Sequence, residues 1–153
     1  MNRILILTLF TLAGQPGTAQ SDESIRVKHY NIEVRVAIDG YDPVSYFSDS
    51  PREGTDEITA THKGITYHFS SEANATKFRS EPEKYEPAYG GWCAYAMGVT
   101  GEKIRVDPET YKIIDGRLYL FYNYWGNNTL NDWNKNQATL KPSADRNWKK
   151  AIE

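Results

Sequence analysis

One cysteine and one methionine stand four positions apart in the second half of the chain. Cys93 is the single cysteine among 153 residues, and Met97 follows it within the segment Trp92–Met97. Residues four apart share one face of a helix, so a short buried helix here would bring a thiol and a thioether together. Because soft sulfur ligands of this kind suit Cu(I), the spacing raises the hypothesis of a metal site with a copper ion as its cofactor.

His62 is a third ligand considered for that site. Two stretches, 58–62 and 65–69, flank Lys63-Gly64 and predict a β-hairpin with a two-residue turn. His62 then lies at the turn end of the apolar face, and His68 lies on the opposite, wetter face. The predicted cross-strand pairs on the apolar face are His62 with Ile65, Ala60 with Tyr67, and Ile58 with Phe69.

Two other interpretations of Cys93 remain open. A free cysteine packs well as a small hydrophobic residue, so the thiol could be buried and inert. If instead the helix starts near Gly91, unpaired backbone N–H groups in its first turn favour the thiolate, as in a thiol-dependent redox protein. An enzyme using Cys93 would also need a base and an oxyanion hole. No histidine lies near Cys93 in sequence, so the residues favour a binding module over an enzyme.

The N-terminal residues predict export. Asn2 and Arg3 precede the apolar stretch Ile4–Ala13, and the small residues Gly17-Thr18-Ala19 follow it. That order is typical of a secretory signal peptide with cleavage after Ala19, and its apolar part is too short to span a bilayer. We therefore divide the chain into a signal peptide (1–19), a loose polar lead-in (20–34) and one domain (35–153), and expect a periplasmic or secreted protein without a membrane span once it is mature.

Composition narrows the class of ligand. The net charge is −2, which lacks the basic field that nucleic acids require. The chain is rich in aromatic residues, with eleven Tyr, five Phe and four Trp. Four of them flank turns and Gly-rich breaks, where side chains can leave the core, and they form a possible ligand pocket: Tyr41, Tyr89, Trp92 and Tyr95. Asp42, Asp107 and Asp115 stand beside Pro or Gly, and we expect them to make turn hydrogen bonds.

The remaining patterns predict an α+β fold, in which one small antiparallel sheet has helices packed over it. Apart from the hairpin, the expected strands are 33–38, 104–106, 112–114 and 118–121, the last two joined by an Asp115-Gly116 turn. The expected helices are one capped by Ser70 or Ser71 and ending near Ser80, a short turn with Pro82 at its first position, and a C-terminal helix that Pro142 interrupts.

Several segments resemble the exported, long form of YHS-domain-containing proteins. They are Gly40-Tyr41-Asp42-Pro43-Val44-Ser45-Tyr46-Phe47, Gly64–Ser71, Pro82–Tyr85, Tyr89-Gly90-Gly91-Trp92-Cys93-Ala94-Tyr95-Ala96 and Asp115–Asn123. The resemblance runs from about Ala37 to Trp148. It implies metal binding, because short YHS domains are usually thought to bind metal through cysteines. The corresponding positions here are Ser45, Ser70 and Asn74, which are poor ligands for soft metals.

The sequence therefore predicts a periplasmic YHS-type ligand-binding module with a soft metal ion such as copper near Cys93, Met97 and His62. The alternatives are a non-metal binding or structural partner module with an inert cysteine, or a thiol-dependent redox protein. The resemblance does not indicate which partner protein or small ligand is bound.

Overall fold

The computed structural model describes residues 17–33, 35–48 and 50–153, so the predicted signal peptide lies almost wholly outside the described residues. The helices of the described part are α1 (Gly17–His29), α2 (Glu72–Ser80), α3 (Pro82–Tyr85), α4 (Ala94–Val99) and α5 (Thr129–Ile152). The strands are β1 (Ile32–Glu33), β2 (Val36–Ala37), β3 (Thr55–His62), β4 (Ile65–Phe69), β5 (Asp107–Ile114), β6 (Arg117–Phe121), β7 (Asn123–Tyr124) and β8 (Asn127–Asn128).

The α+β class is confirmed, and the sheet is divided among small antiparallel ribbons. In the described part, consecutive strands pair two by two as β1–β2, β3–β4, β5–β6 and β7–β8. Each of the last three ribbons turns through two residues with positive φ, at Lys63-Gly64, Asp115-Gly116 and Trp125-Gly126. Paired positive φ angles match the right-handed twist of the strands, which is why both predicted hairpin turns form where expected.

The first predicted hairpin is correct near its turn and wrong at its open end. His62 pairs with Ile65 and Ala60 with Tyr67, but Ile58 does not pair with Phe69. The register shifts between Thr59, which pairs with His68, and Thr55, which pairs with Phe69. A bulge of this kind bends the strand and leaves extra residues unpaired, and alternation alone does not reveal it. The apolar face of β4 is nevertheless fully buried.

Three other local predictions are corrected. The lead-in is not loose, because α1 runs through it. The strand predicted at 33–38 is a hairpin of two short strands, with Arg35 at φ 72 in its turn and a 3₁₀ turn from Ile38. The strand predicted at 104–106 has no regular structure; Ile104 lines a surface groove described below, and Val106 is buried in the core.

The predicted helices form with small shifts. Ser71 caps α2 by accepting a hydrogen bond from the Asn74 backbone N–H at 3.2 Å, and Pro82 opens α3. The helix expected from Trp92 begins at Ala94, with Cys93 as its N-cap. In α5 the backbone breaks at Asn136 (φ −131°, ψ 18°), which is N-terminal to Pro142 rather than at it.

Buried side chains form two adjoining clusters. The first surrounds the β3–β4 hairpin and α2, and it includes Tyr67, Phe69, Phe78 and Cys93. The second lies between β6, α4 and α5 and is centred on Trp133. Helices α4 and α5 pack so closely that a methyl group on Gly98 would lie 2.9 Å from the Leu140 carbonyl oxygen, so glycine is required there.

Helix α1 is fixed to the domain by a buried ion pair and by an aromatic contact next to it. Arg26 pairs with Glu86, whose carboxylate also accepts a 2.8 Å hydrogen bond from the Tyr67 hydroxyl. Beside it, Tyr30 makes an edge contact with Trp148 of α5, with ring centroids 5.9 Å apart. Within the described ranges, no helix combines the length and apolar character needed to cross a bilayer.

Candidate functional site

The positions where the resemblance expects thiols surround one buried carboxylate. Asp42 is fully buried, and its Oδ2 accepts hydrogen bonds from the Ser70 backbone N–H (2.9 Å), the Ser70 hydroxyl (2.7 Å) and the Asn74 amide (2.7 Å). Its Oδ1 accepts from the Val44 N–H at 2.9 Å, and its backbone oxygen accepts from the Ser45 hydroxyl at 2.7 Å. We call Asp42 with Ser45, Ser70 and Asn74 the Asp42 network.

This network does not fit a thiolate-bound metal. Its side-chain donors are hydroxyls and an amide, which are poor ligands for soft cations, and the Asp42 carboxylate oxygens already accept hydrogen bonds within the network. Among the described residues, no group of three or more His, Cys, Asp or Glu side chains is placed to hold a metal ion. The network connects the 42–45 turn to the start of α2, which is a structural role.

The predicted turn hydrogen bonds form at Asp42 and at Asp107. Asp42 accepts from the Val44 N–H, and Asp107 accepts from the Glu109 N–H at 3.0 Å.

Cys93 lies at the junction between the first cluster and a surface groove. The residue has no surface exposed to bulk solvent. Its Sγ accepts a hydrogen bond from the Tyr122 backbone N–H at 3.4 Å and lies 3.5 Å from the Thr129 hydroxyl. Its own N–H donates to the Ile104 carbonyl at 2.9 Å, so the loop before β5 is bonded to the cysteine backbone.

The other two predicted metal ligands pack elsewhere. Met97 is fully buried in the second cluster, although its backbone N–H donates to the Cys93 carbonyl. His62 stacks edge-on against Phe78, with ring centroids 6.5 Å apart. Its Nε2 is buried without a hydrogen-bond partner in the described part of the chain, and burial lowers its pKa. Cys93 thus belongs to the first cluster and Met97 to the second, and His62 packs against Phe78 of the first cluster.

An apolar groove opens beside Cys93. Its inner cavity has a volume of about 400 Å³, with Cys93, Tyr95, Val99, Ile104, Tyr122 and Thr129 in its lining. An outer cavity of about 470 Å³ is lined by Lys103, Ile104, Arg105, Tyr122, Tyr124 and Trp125. The two share Ile104 and Tyr122, and we call them together the aromatic groove. Volumes of this size are typical of small-ligand sites, about 300–1,000 Å³.

Trp125 lies at the outer edge of the groove, with a backbone conformation and an exposure that are both unusual for tryptophan. It is 93% exposed and has φ 52° at the first position of the β7–β8 turn. Asn and Asp are favoured at that position, and a bulky residue there is strained. Its ring neighbours are Tyr124 and Tyr122, at centroid distances of 5.9 and 6.4 Å. The three rings form an aromatic wall, which sequence reasoning missed because the Trp-Gly pair does not look like a hairpin turn.

Charge is unevenly distributed along the groove. Glu102 lies at the inner cavity, whereas Lys103 and Arg105 lie at the outer one. The Lys103 ammonium lies 2.8 Å from Nδ1 of His29, a neutral acceptor. Burial and the nearby positive charge of Lys28 lower the pKa of Lys103. The outer end of the groove is therefore a place where positive charge is crowded.

The structure divides the pocket predicted from the four aromatic residues. Tyr95 lines the inner cavity with Cys93. Tyr89 is buried against Tyr119 and donates a 2.9 Å hydrogen bond to Asp145. The Trp92 indole donates to the His29 carbonyl at 2.7 Å, and Tyr41 lies beside Glu109. Of the four, only Tyr95 meets Cys93 at a cavity.

Comparison with known proteins identifies one segment of the domain. Residues 53–89, which contain β3, β4, α2 and α3, match the family model of the YHS domain. This match supports the predicted resemblance to YHS-domain-containing proteins. No curated protein and no solved structure matches the chain. The aromatic groove lies outside the matched residues.

Proposed function

We propose that this chain is an exported YHS-type ligand-binding module and that its ligand binds in the aromatic groove. The observation that carries the proposal is Trp125, a strained and 93% exposed tryptophan beside an open apolar cavity. The positive φ raises the free energy of the folded chain, and a ring that is 93% exposed buries little surface in return. Costs of this kind are typical of functional sites. Export rests on the N-terminal pattern, and cell fractionation with an antibody against the domain tests it.

Neutral apolar probes test the groove without involving its charges. We expect N-phenyl-1-naphthylamine to bind the purified chain, and we expect Val99→Gln to weaken that binding roughly fivefold, because about 1 kcal/mol of apolar contact is lost. Val99 is 53% exposed, so the substitution leaves the core intact. The matched control is Val27→Gln on α1, since Val27 is 49% exposed and lies outside the groove. Equal affinity for both variants and the wild type contradicts the proposal.

Copper binding at Cys93 is a second proposal. What supports it is a thiol at the floor of an open cavity, because cysteine sulfur is a soft ligand of the kind that suits Cu(I). We expect Cu(I), titrated against a competing chelator, to bind the wild type and not Cys93→Ala. Met97 packs in another cluster, so Met97→Leu should bind as the wild type does. Equal Cu(I) affinity for wild type and Cys93→Ala removes copper from the function.

A further inference from the structure

We propose that the aromatic groove selects a small amphipathic carboxylate, with the acid group at Lys103 and the apolar body against Tyr122, Ile104 and Trp125. This inference rests on the proposed function, because it assigns a class of ligand to the same groove. Three steps support it: the shape of the lining, the position of the charges and the chemistry of the cationic rim.

The lining fits a narrow apolar body. Ile104 and Tyr122 belong to both cavities, so the two cavities adjoin at these side chains. Val99 and Ile104 are 53% and 37% exposed, which are large values for aliphatic side chains. A hydrocarbon chain or an aromatic ring placed here would remove these side chains and the Trp125 ring from water, and apolar burial is the main favourable term in such binding.

The charges orient that body. An anionic group at the inner cavity would meet Glu102, whereas one at the outer cavity would meet Lys103 and Arg105. Lys28 adds positive charge close to Lys103. The Lys103 ammonium lies 2.8 Å from Nδ1 of His29, and a neutral imidazole does not offset the charge of the ammonium. An incoming carboxylate would form a charge-assisted hydrogen bond and relieve the repulsion between the two lysines.

A single negative charge matches this rim better than a phosphate group does. Phosphate sites are usually built from backbone N–H groups at a helix N-terminus or from a nest of such groups. The outer cavity is instead lined by side chains of an irregular loop and of the β7–β8 hairpin. Two side-chain cations at one end of an apolar groove are suited to a monoanion with a hydrophobic body.

Displacement of N-phenyl-1-naphthylamine compares three ligands with the same ten-carbon chain: decanoate, decanol and decyltrimethylammonium. We expect decanoate to displace the probe at about tenfold lower concentration than decanol, the size expected of one charge-assisted hydrogen bond, and the cation to be weakest. Lys103→Gln should remove the advantage of decanoate over decanol, with the probe affinity of each variant measured first so that the two ligands are compared within the same variant. Lys150→Gln, an exposed lysine of α5 outside the groove, is the control and should keep that advantage.

The outcomes separate the two proposals. If the probe binds and depends on Val99, but decanoate and decanol compete equally, the groove binds ligands and the carboxylate assignment is wrong. If the probe does not depend on Val99, the groove itself fails as a site. A hydrophobic peptide with a free C-terminus is also tested, together with the same peptide amidated at its C-terminus. If the free peptide competes far better than both decanoate and the amidated peptide, the ligand is a peptide and the assignment to a small molecule is overturned.

Discussion

The Asp42 network and the aromatic groove differ in how well their side chains are satisfied within one small domain. In the network, every described polar group around the buried carboxylate has a hydrogen-bond partner, and the arrangement closes on itself. In the groove, a tryptophan is strained and exposed and cations crowd at one end. Satisfied interactions stabilise a fold, whereas a strained and exposed side chain is typical of a functional surface. The contrast is between a network that serves stability and a groove that we propose serves binding.

The largest effect is expected from removing the carboxylate of the network. Asp42→Ala leaves the Val44 and Ser70 N–H groups, the Ser70 hydroxyl and the Asn74 amide without their acceptor. We expect a loss of about 3–5 kcal/mol in the free energy of unfolding, because several buried donors lose their partner at once. Urea unfolding measures this, with the exposed Asp56→Ala as a control that should change stability by less than about 0.5 kcal/mol. Similar midpoints for the two variants would contradict a structural role for the network.

A smaller effect of opposite sign is expected in the groove. Trp125→Asn places a residue that tolerates positive φ in the turn, so we expect the free energy of unfolding to rise by about 1 kcal/mol. The same variant should bind N-phenyl-1-naphthylamine more weakly, because the aromatic wall is lost. Chemical unfolding and probe titration are both needed. A variant that is less stable than the wild type would show that Trp125 stabilises the fold, and the contrast between the two regions would disappear.

The smallest expected effect is a pH dependence of stability that arises from His62, within the residues that match the YHS domain. Burial lowers the pKa of His62 below its ordinary value of 6.5 in the folded chain. The unfolded chain therefore binds more protons at this residue, and stability should fall as the pH drops below about 6.5, until the folded pKa is reached. His62→Leu should flatten the fall measured by urea unfolding between pH 7.5 and 5.5. Identical slopes for the variant and the wild type would contradict this.

Local turn and cap chemistry predicted much of the fold. Three local features could be predicted because each depends on neighbouring residues: the Lys63-Gly64 turn, the Asp115-Gly116 turn and the Ser71 cap. The bulge beyond Thr59 was not, since it depends on how Thr55 approaches Phe69.

The candidate site was less predictable than the fold. The sequence grouped Cys93 with Met97 and His62, and it did not indicate that Cys93 lines a cavity with Tyr95, Ile104 and Tyr122. The loop 100–106 resembles a strand through Ile104 and Val106, yet it folds against Cys93 and becomes one wall of the groove. Asp42 was read only as a turn residue, because its bonds to Ser70 and Asn74 bridge about thirty residues. The Trp125 wall is local in sequence, and it was missed because a Trp-Gly pair does not look like a hairpin turn.

The contact between Tyr30 and Trp148 has a consequence for the order of assembly. Helix α1 is made first, but its aromatic partner lies near the end of the last helix. During synthesis, α1 therefore cannot complete this contact until Trp148 has been made. A nascent chain halted before Trp148 would leave Tyr30 without its aromatic partner and this helix more accessible to proteases and chaperones.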